Sequence, residues 1–318
     1  MTTGGGRQSS RARDPAPGGI TLVELVVVLL LIGLVGSAIG ATLVRQQRFY
    51  RGTTELLHAR EGVRDAMELL SADIRGMSVA DTVRLLADSA IEFFANVGSS
   101  IVCERLGAAS VGLPGASSGR GNALTAFLTQ PDTGDLALFH ADSIDGGNEW
   151  ERHRSTGFGP RSLAIACPAS SPFGREAEIN AGNPGFHLEL STPLTSHVRP
   201  GAPVRFLRRG RYSLYHASEG GWYLGYRRCN AVGSTCGAIQ PLSGPYRDYS
   251  ADPRRTGLLF EYFDRSGNPL SAGQLPLAVA RIDITARAES RQRIKVEGRL
   301  TVPSDSATLT IAIRNRSP

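Results

Sequence analysis

Residues 18–44, GGITLVELVVVLLLIGLVGSAIGATLV, decide the fold of this protein. Within them, residues 25–44 carry no charged side chain, and Arg45 and Arg48 come after their end. In an α-helix this apolar run extends about 30 Å, which is enough to cross the hydrocarbon core of a bilayer. We therefore expect residues 20–44 to form a transmembrane helix.

Two common explanations of an N-terminal apolar segment do not account for all of its features. A secretory signal peptide has a shorter apolar core followed by a small-residue cleavage site, and this run is too long for that. An ordinary single-pass anchor fits the length but does not explain Glu24 at its edge. A carboxylate beside an apolar run is costly in lipid and therefore points to a function. Arginines flank both ends, so the positive-inside count alone does not set the orientation.

The residues around this acid resemble a known processing signal. Residues 19–25, GITLVEL, are similar to the cleavage and methylation motif of type IV prepilins and secretion pseudopilins. That family has Gly, a hydrophobic residue, often Thr-Leu, a variable position, then Glu and Leu at the head of a long apolar helix. Thr21, Leu22 and Leu25 match this recognition motif, and Ile20 stands where the family more often has Phe.

The resemblance implies how the chain would be processed. Residues 1–19 would be a cytoplasmic leader that prepilin peptidase removes after Gly19, and Ile20 would become the N-methylated new N-terminus. Glu24 would take the place of the family's fifth-position glutamate. The implied partners are the peptidase, other minor pilins, the major pilin and an inner-membrane assembly platform. The chain would sit in the inner membrane with residues 78–318 in the periplasm, and after assembly it would belong to a pilus or pseudopilus.

A role for Glu24 also follows from electrostatics. Cleavage after Gly19 would place a positive amine four residues before the carboxylate, at the start of a helix. Both groups become buried when such helices bundle, and an unpaired buried charge is expensive. Glu24 of one subunit would therefore neutralise the amine of its neighbour and set the axial register. The alternative is an acid at the membrane edge whose side chain reaches the headgroups.

Beyond residue 44 the pattern becomes amphipathic. Apolar residues at 63, 67, 70, 74 and 77 recur at spacings of four and three, which is one face of an α-helix. We expect the helix to continue through residues 45–77 and to pack on a globular domain. From residue 78 the apolar segments are short and separated by turn signals, with Gly/Ser/Pro-rich loops at 107–121 and 168–185. Strands are predicted at 91–94, 101–106, 123–128, 136–140, 163–167, 186–190, 204–208, 212–215, 221–228, 258–264, 278–287, 292–302 and 308–313.

These elements predict an α+β fold, in which a long N-terminal helix packs on an antiparallel, β-sheet-rich domain. This arrangement resembles the pilin architecture. Three strings are also similar to PilW-type minor pilins and to the J-type minor pseudopilins of type II secretion: LLSADIRG at 69–76, YFDRSG at 262–267 and IAIRN at 311–315. The length of 318 residues is large for a J-type pseudopilin and favours the pilus side.

The charge balance gives little indication of a partner. The formal net charge is +6, from 35 Lys+Arg against 29 Asp+Glu. Lysine occurs only at Lys295, and the arginines are scattered along the sequence. Because nucleic-acid binding usually shows as a concentrated basic patch, we predict no nucleic-acid partner.

Four cysteines are present: Cys103, Cys167, Cys229 and Cys236. None lies in a CxxC motif, and no pair of histidines has zinc-ligand spacing. Cys229 and Cys236 enclose a predicted hairpin tip, so an oxidising compartment would allow a disulfide between them. The alternative is four reduced, partly buried thiols. Four cysteines allow three pairings, and the sequence does not choose among them.

No catalytic site is predicted. The six histidines are dispersed, and the chain lacks GxSxG, HExxH, P-loop and strand-following GxGxxG motifs. A loop provides oxygen ligands for which calcium is conceivable, but their spacing does not match an EF-hand, and a solvated turn is the commoner role. We expect no cofactor. The residues of this weak calcium candidate are Asp142, Asp145, Asn148 and Glu149.

The sequence therefore predicts a minor pilin of type IV pilus assembly, which is a substrate of an enzyme and not an enzyme itself. One alternative keeps the fold and places the chain in a type II secretion pseudopilus. The other is a membrane-tethered periplasmic binding module or enzyme. In that case the leader is retained, and replacing Glu24 leaves activity intact.

Overall fold

The computed structural model describes residues 21–77, 83–115, 124–142, 148–271, 278–290, 293–296 and 299–313. The chain divides into two compact units, Met1–Thr53 and Thr54–Pro318. The first unit consists, in its described part, of helix and the single residue before it. The second unit contains the rest of that helix and a large antiparallel β-domain. The predicted α+β class is therefore confirmed, and the predicted leader, residues 1–19, lies outside the described residues.

Helix α1 comprises Leu22–Arg75 and so contributes residues to both units. Its second half is rich in Glu, Arg, Leu and Ala, which are strong helix formers. The helix ends at a glycine, where the Gly76 N–H donates to the Ala72 carbonyl (3.1 Å). The helix was predicted to continue to residue 77, two residues beyond this end.

Seventeen strands and two short helices follow among the described residues. The short helices are α2 (Leu163–Ala166) and α3 (Glu176–Asn180). The strands are β1 (Leu85–Leu86), β2 (Ala90–Ile101), β3 (Glu104–Gly107), β4 (Ser110–Leu113), β5 (Ala126–Phe127), β6 (Leu136–Asp142), β7 (Asn148–Ser162), β8 (Pro184–Leu190), β9 (Pro203–His216), β10 (Trp222–Arg228), β11 (Gln240–Tyr246), β12 (Leu258–Phe263), β13 (Pro269–Leu270), β14 (Arg281–Glu289), β15 (Ile294–Val296), β16 (Arg299–Thr301) and β17 (Ser304–Ala312).

Strand β9 organises the sheet. One of its edges pairs with β2 over most of its length, and the other edge pairs with β6 near its start and β10 near its end. The main path of the sheet runs β13-β12-β14-β11-β10-β9-β6-β7-β8-β4-β3. Strand β17 adds to β14, β1 and β5 add to β2, and β15 and β16 form a separate hairpin.

The second half of α1 packs on one face of this sheet. The predicted apolar face is confirmed, because Val63, Leu70, Ile74 and Met77 are buried and Met67 is partly buried against them. Its partners in the sheet include Ile91, Phe93, Tyr212, Leu224, Tyr246, Phe260, Ile282 and Ile284.

A second core lies between β2, β6 and β9 on one side and β4 and β8 on the other. Four phenylalanines meet there, with the Phe127 ring centroid 5.5 Å from that of Phe158 and 5.8 Å from that of Phe206. Phe186 is the fourth, and it stacks on Phe158 at 5.3 Å. Edge-to-face aromatic pairs of this kind stabilise a core beyond the apolar area that they bury.

Several predictions of secondary structure were wrong. The segment predicted as a strand at 163–167 is helix α2, which buries Leu163 and Ala166 on one face. The predicted loop at 107–121 contains β4, the predicted loop at 168–185 contains α3, and β11 was not predicted. Strand β7 was missed because its sequence, NEWERHRSTGFGPRS, is polar and contains Gly and Pro. Pairing with β6 on one edge and β8 on the other holds it in the sheet.

Candidate functional site

The first half of α1 is exposed along its length. Every residue from 21 to 51 is exposed, including Leu22 (80% exposed) and Leu30 (69%). Among the described residues, α1 is the one helix that is long and apolar enough to cross a membrane, judged by length and composition. A surface of this kind is stable only in lipid or against other apolar surfaces.

Thr21 caps the start of this helix. The Glu24 N–H donates to Thr21 Oγ1 (3.2 Å), and the Leu25 N–H donates to the Thr21 carbonyl (3.1 Å). Such a cap satisfies donors that have no partner within the helix. The string Thr-Leu-Val-Glu has the spacing of a capping box, which is the sequence signal for a helix start at this point. The predicted cleavage motif therefore overlaps the helix cap.

Glu24 is exposed in the first turn of α1. A carboxylate at this position interacts favourably with the positive end of the helix dipole. Leu22 and Leu25, from the predicted recognition motif, are exposed beside it. Gly19 and Ile20, at the predicted cleavage and methylation site, lie outside the described residues.

The second half of α1 is tied to the sheet by hydrogen bonds as well as by apolar packing. The Tyr212 hydroxyl donates to the Asp73 carboxylate, and the Tyr246 hydroxyl donates to the Gly62 carbonyl (2.6 Å). Burial, followed by the charge on Asp73, raises the pKa of Tyr212 well above its usual value. Burial likewise raises the pKa of Tyr246 to about 12. Both phenols are therefore neutral donors at physiological pH.

The backbone of Gly62 in α1 lies beside the backbone of Gly244 in β11. A Cβ atom at this position would lie 3.4 Å from the Gly244 carbonyl oxygen and 3.5 Å from its nitrogen. These are ordinary van der Waals distances, so an alanine would fit here, whereas the methyl groups of a β-branched side chain would reach the Gly244 backbone. The glycines of the first half differ, since nothing lies within 4 Å of a Cβ built on Gly36 or Gly40.

The two disulfides pair Cys229 with Cys236 and Cys103 with Cys167. The first is the pairing that the sequence analysis gave as possible, and it closes the turn that follows β10, where the Asn230 N–H donates to the Thr235 carbonyl (3.0 Å). The second joins residues 64 positions apart. No sequence signal identified it, because the two cysteines come together only through the pairing of strands.

A buried ion pair lies beneath the turn at 229–236. Glu92 is 2% exposed and accepts hydrogen bonds from Arg209 Nε (2.7 Å) and Arg211 Nε (2.7 Å). The other side of the Arg209 guanidinium donates to the carbonyls of Asn230 (2.9 Å) and Gly233. Glu92 also lies within 4.8 Å of the two sulfurs of the turn. Both sulfurs belong to the disulfide and are therefore not metal ligands here.

The weak calcium candidate lies mostly outside the described residues. Asp142 is exposed at the end of β6, and its carboxylate lies 3.5 Å from His140 Nδ1. Asn148 and Glu149 begin β7, where their backbones pair with Asp142 and Ala141. Asp145 lies outside the described residues, as do the side chains of Asn148 and Glu149.

A polar chain joins β7 to the segment that follows β8. His153 Nδ1 lies 2.8 Å from Thr192 Oγ1, and its Nε2 lies 3.2 Å from Glu151 Oε2. Glu151 also accepts hydrogen bonds from the hydroxyl and the N–H of Thr195. Burial opposes the charge on Glu151, but these hydrogen bonds outweigh it and hold the pKa of this carboxyl below its usual value. The charged Glu151 thus anchors the segment around Thr195.

Comparisons with family models, with curated proteins and with solved structures found no match to this chain. The functional argument therefore depends on the residues and their geometry.

Proposed function

We propose that the protein is a minor pilin, anchored in the inner membrane through α1 and assembled into a type IV pilus through the same helix. One observation carries this proposal. The first half of α1, with Glu24 in its first turn, presents an exposed apolar surface, while the other half is packed into an antiparallel β-domain. A subunit of this form can leave the membrane only if other apolar helices replace the lipid.

Assembly would bury this surface against the helices of neighbouring subunits. Each fully buried Leu, Val or Ile side chain contributes roughly 1.5–3 kcal/mol relative to exposure to water. The surface itself does not fix the axial register, because it is apolar along its length. Glu24 supplies that register when it neutralises the amine that cleavage after Gly19 creates on a neighbour. In the cleaved chain Thr21 would be the second residue, and it would cap the start of the helix.

The first test of this proposal determines where the N-terminus of the mature protein lies. The full chain is expressed with and without a prepilin peptidase, and the membrane-extracted protein is analysed by mass spectrometry. We expect a product that begins at methylated Ile20 only when the peptidase is present. Gly19→Val should block this cleavage, because the added side chain would obstruct the entry of the cleaved segment into a protease cleft. An intact N-terminus under both conditions would refute the proposal and favour a tethered periplasmic module.

A substitution of Glu24 tests assembly separately from processing. Glu24→Gln should still be cleaved after Gly19, but it should be depleted from the sheared filament fraction because an amide does not neutralise the neighbouring amine. The matched control is Glu61→Gln, an exposed acid on the same helix. Equal recovery of both variants in filaments would contradict the role given to Glu24.

The same processing would occur in a type II secretion pseudopilus. Co-purification distinguishes the two machines, since a minor pilin should be recovered with the major pilin and a pseudopilin with secretion pseudopilins.

A further inference from the structure

Three arginines follow the end of the apolar run in α1. Arg45, Arg48 and Arg51 come directly after residues 25–44, at intervals of three, in the string RQQRFYR. Residues three apart in a helix are neighbours, with about 5–6 Å between their Cβ atoms, so these side chains follow one another along α1. All residues from 45 to 51 are exposed. We call Arg45, Arg48 and Arg51 the arginine row.

No acid of the first half of α1 balances the charge of the arginine row. Residues 25–54 contain no Asp or Glu, and the next acid, Glu55, accepts a hydrogen bond from a serine hydroxyl of the β-domain (2.7 Å). Among the described residues, the ion pairs of α1 do not involve the row but involve His58, Arg60 and Arg64. Because like charges on neighbouring turns destabilise a helix, an anion from outside the chain would stabilise this part of α1.

The length of the apolar run indicates where the arginine row lies. Residues 25–44 extend about 30 Å as a helix, which matches the hydrocarbon core of a bilayer. When this run spans the core, Arg45 lies at its edge, and the rest of the row extends about 9 Å further, through the headgroup layer. Phe49, within the row, is 71% exposed, and aromatic rings are typical of the membrane–water interface. The row is therefore at the depth of the lipid phosphates.

The arginine row does not serve to orient the helix. In the proposed orientation it lies on the periplasmic side, whereas positively charged residues are usually enriched on the cytoplasmic side. The sequence before the apolar run also contains three arginines, at positions 7, 11 and 13. The row thus opposes the orientation that the other three favour, so its charge requires a different role.

We infer that the arginine row binds the phosphate groups of anionic phospholipids at the periplasmic surface of the membrane. A guanidinium group donates paired hydrogen bonds to phosphate oxygens. Zwitterionic lipids also carry a phosphate, but their own cation cancels its charge, so the row favours lipids with a net negative charge. Arginine stems can lie along the apolar surface while their charged ends reach the headgroups. The inference rests on the membrane anchoring of the proposed function and adds a lipid partner to it.

The test measures lipid binding by the full chain in micelles of an uncharged detergent. Native mass spectrometry follows titrations with phosphatidylglycerol and with phosphatidylcholine of the same acyl chains. The native chain should bind phosphatidylglycerol at least about tenfold more tightly, because each arginine near an anionic lipid contributes up to about fivefold in affinity. The row variant, R45Q/R48Q/R51Q, should bind the two lipids within about twofold of each other.

Two further variants separate the arginine row from net charge and from the loss of arginine as such. The first removes three exposed arginines of the β-domain and should keep the lipid preference within about twofold of the native value: R161Q/R199Q/R254Q. The second, R45K/R48K/R51K, keeps the positive charge in the row and should retain most of the preference. Circular dichroism of each variant during thermal unfolding verifies that the β-domain is folded.

Four outcomes would overturn the inference. They are equal affinity of the native chain for the two lipids, equal losses in the row variant and the β-domain variant, complete loss in the lysine variant, and displacement of phosphatidylglycerol by millimolar inorganic phosphate. The last would assign the row to a free phosphate ion instead of a lipid. The test involves neither the peptidase nor filaments, so a failure of lipid binding is distinguishable from a failure of the proposed processing and assembly.

Discussion

The two halves of α1 belong to one helix but are stabilised by different surroundings. In the exposed half, residues 22–51, every side chain is exposed and most are apolar up to residue 44. In the packed half, residues 54–75, one stripe is buried against the sheet, and the remaining side chains are largely charged or polar. The packed half obtains its partners from its own chain, whereas the exposed half requires partners from elsewhere.

This difference separates what stabilises the subunit from what we propose assembles it. Changes in the packed half should alter the unfolding of the β-domain, while equivalent changes in the exposed half should leave unfolding almost unaffected. The four predictions below concern the packed half and the sheet residues that contact it, and the first three include a control in the exposed half. They are measured on the full chain in detergent micelles, by near-ultraviolet circular dichroism during chemical unfolding.

The largest effect is expected from an apolar truncation. Leu70 is fully buried, so Leu70→Ala should lower the free energy of unfolding by roughly 2–5 kcal/mol through lost burial and a cavity. Leu30→Ala, at an exposed position, should change it by less than about 0.5 kcal/mol. Similar losses in both variants would mean that the exposed half also contributes to the fold of the domain.

A pair of glycine substitutions tests the close approach to the sheet. Gly62→Val should destabilise the domain by roughly 1–3 kcal/mol, because the added methyl groups meet the Gly244 backbone. Gly36→Val makes the same change in helix propensity, but nothing lies within 4 Å of a Cβ at this position. The free energy of unfolding of the domain should therefore stay the same. If Gly62→Val also left the free energy of unfolding unchanged, α1 would lie farther from β11 than the structure shows.

The hydrogen bond from Tyr212 to Asp73 should have a smaller effect. Tyr212→Phe removes the donor and leaves a partly buried carboxylate without it, which should cost roughly 1–2 kcal/mol. Tyr50→Phe is the control and should change the unfolding of the β-domain by less than about 0.5 kcal/mol, because Tyr50 belongs to the other unit, Met1–Thr53. A neutral Tyr212→Phe would indicate that apolar packing alone attaches the helix.

The smallest effect concerns alkaline pH. The folded pKa of Tyr246, about 12, exceeds the usual value of 10, so its stabilising contribution is complete below pH 10 and declines as the pH rises toward 12. At about pH 10.5 this single group should account for roughly 1 kcal/mol or less of lost stability. Tyr246→Phe should therefore lose less stability than the native chain between pH 7 and about 10.5. An identical loss in both would exclude a contribution from this phenol.

Much of the fold could be predicted because its signals are local. The apolar run, the spacing of Val63, Leu70 and Ile74, and the turn after β12 all depend on residues close together in sequence. In that turn the Asp264 N–H donates to the Asn268 carbonyl (3.0 Å) and the Gly267 N–H donates to the Asp264 carbonyl (3.2 Å). The elements that were missed depend on distant partners. Strand β7 has no apolar alternation, and β8 and β6 hold it in place.

The features of the candidate site also fall into two groups, those that nearby residues define and those that only distant residues form. The sequence singled out Glu24 and raised a disulfide between Cys229 and Cys236 as possible, because each of these features is defined within a few residues. It did not identify the pairing of Cys103 with Cys167, the two tyrosine hydrogen bonds to α1, or the burial of Glu92. Each of these joins residues more than 60 positions apart, and only the register of the strands brings them together.

By itself, the sequence determined that the chain has a long N-terminal helix with an apolar first part, an acid in its first turn and an amphipathic second part. These are periodic patterns, and a helix repeats every few residues whatever surrounds it. Only the tertiary structure decided which distant charges meet. Glu92 is far from Arg209 and Arg211 in the sequence. Pairing of β2 with β9 brings them together, because cross-strand neighbours are set by register and not by distance along the chain.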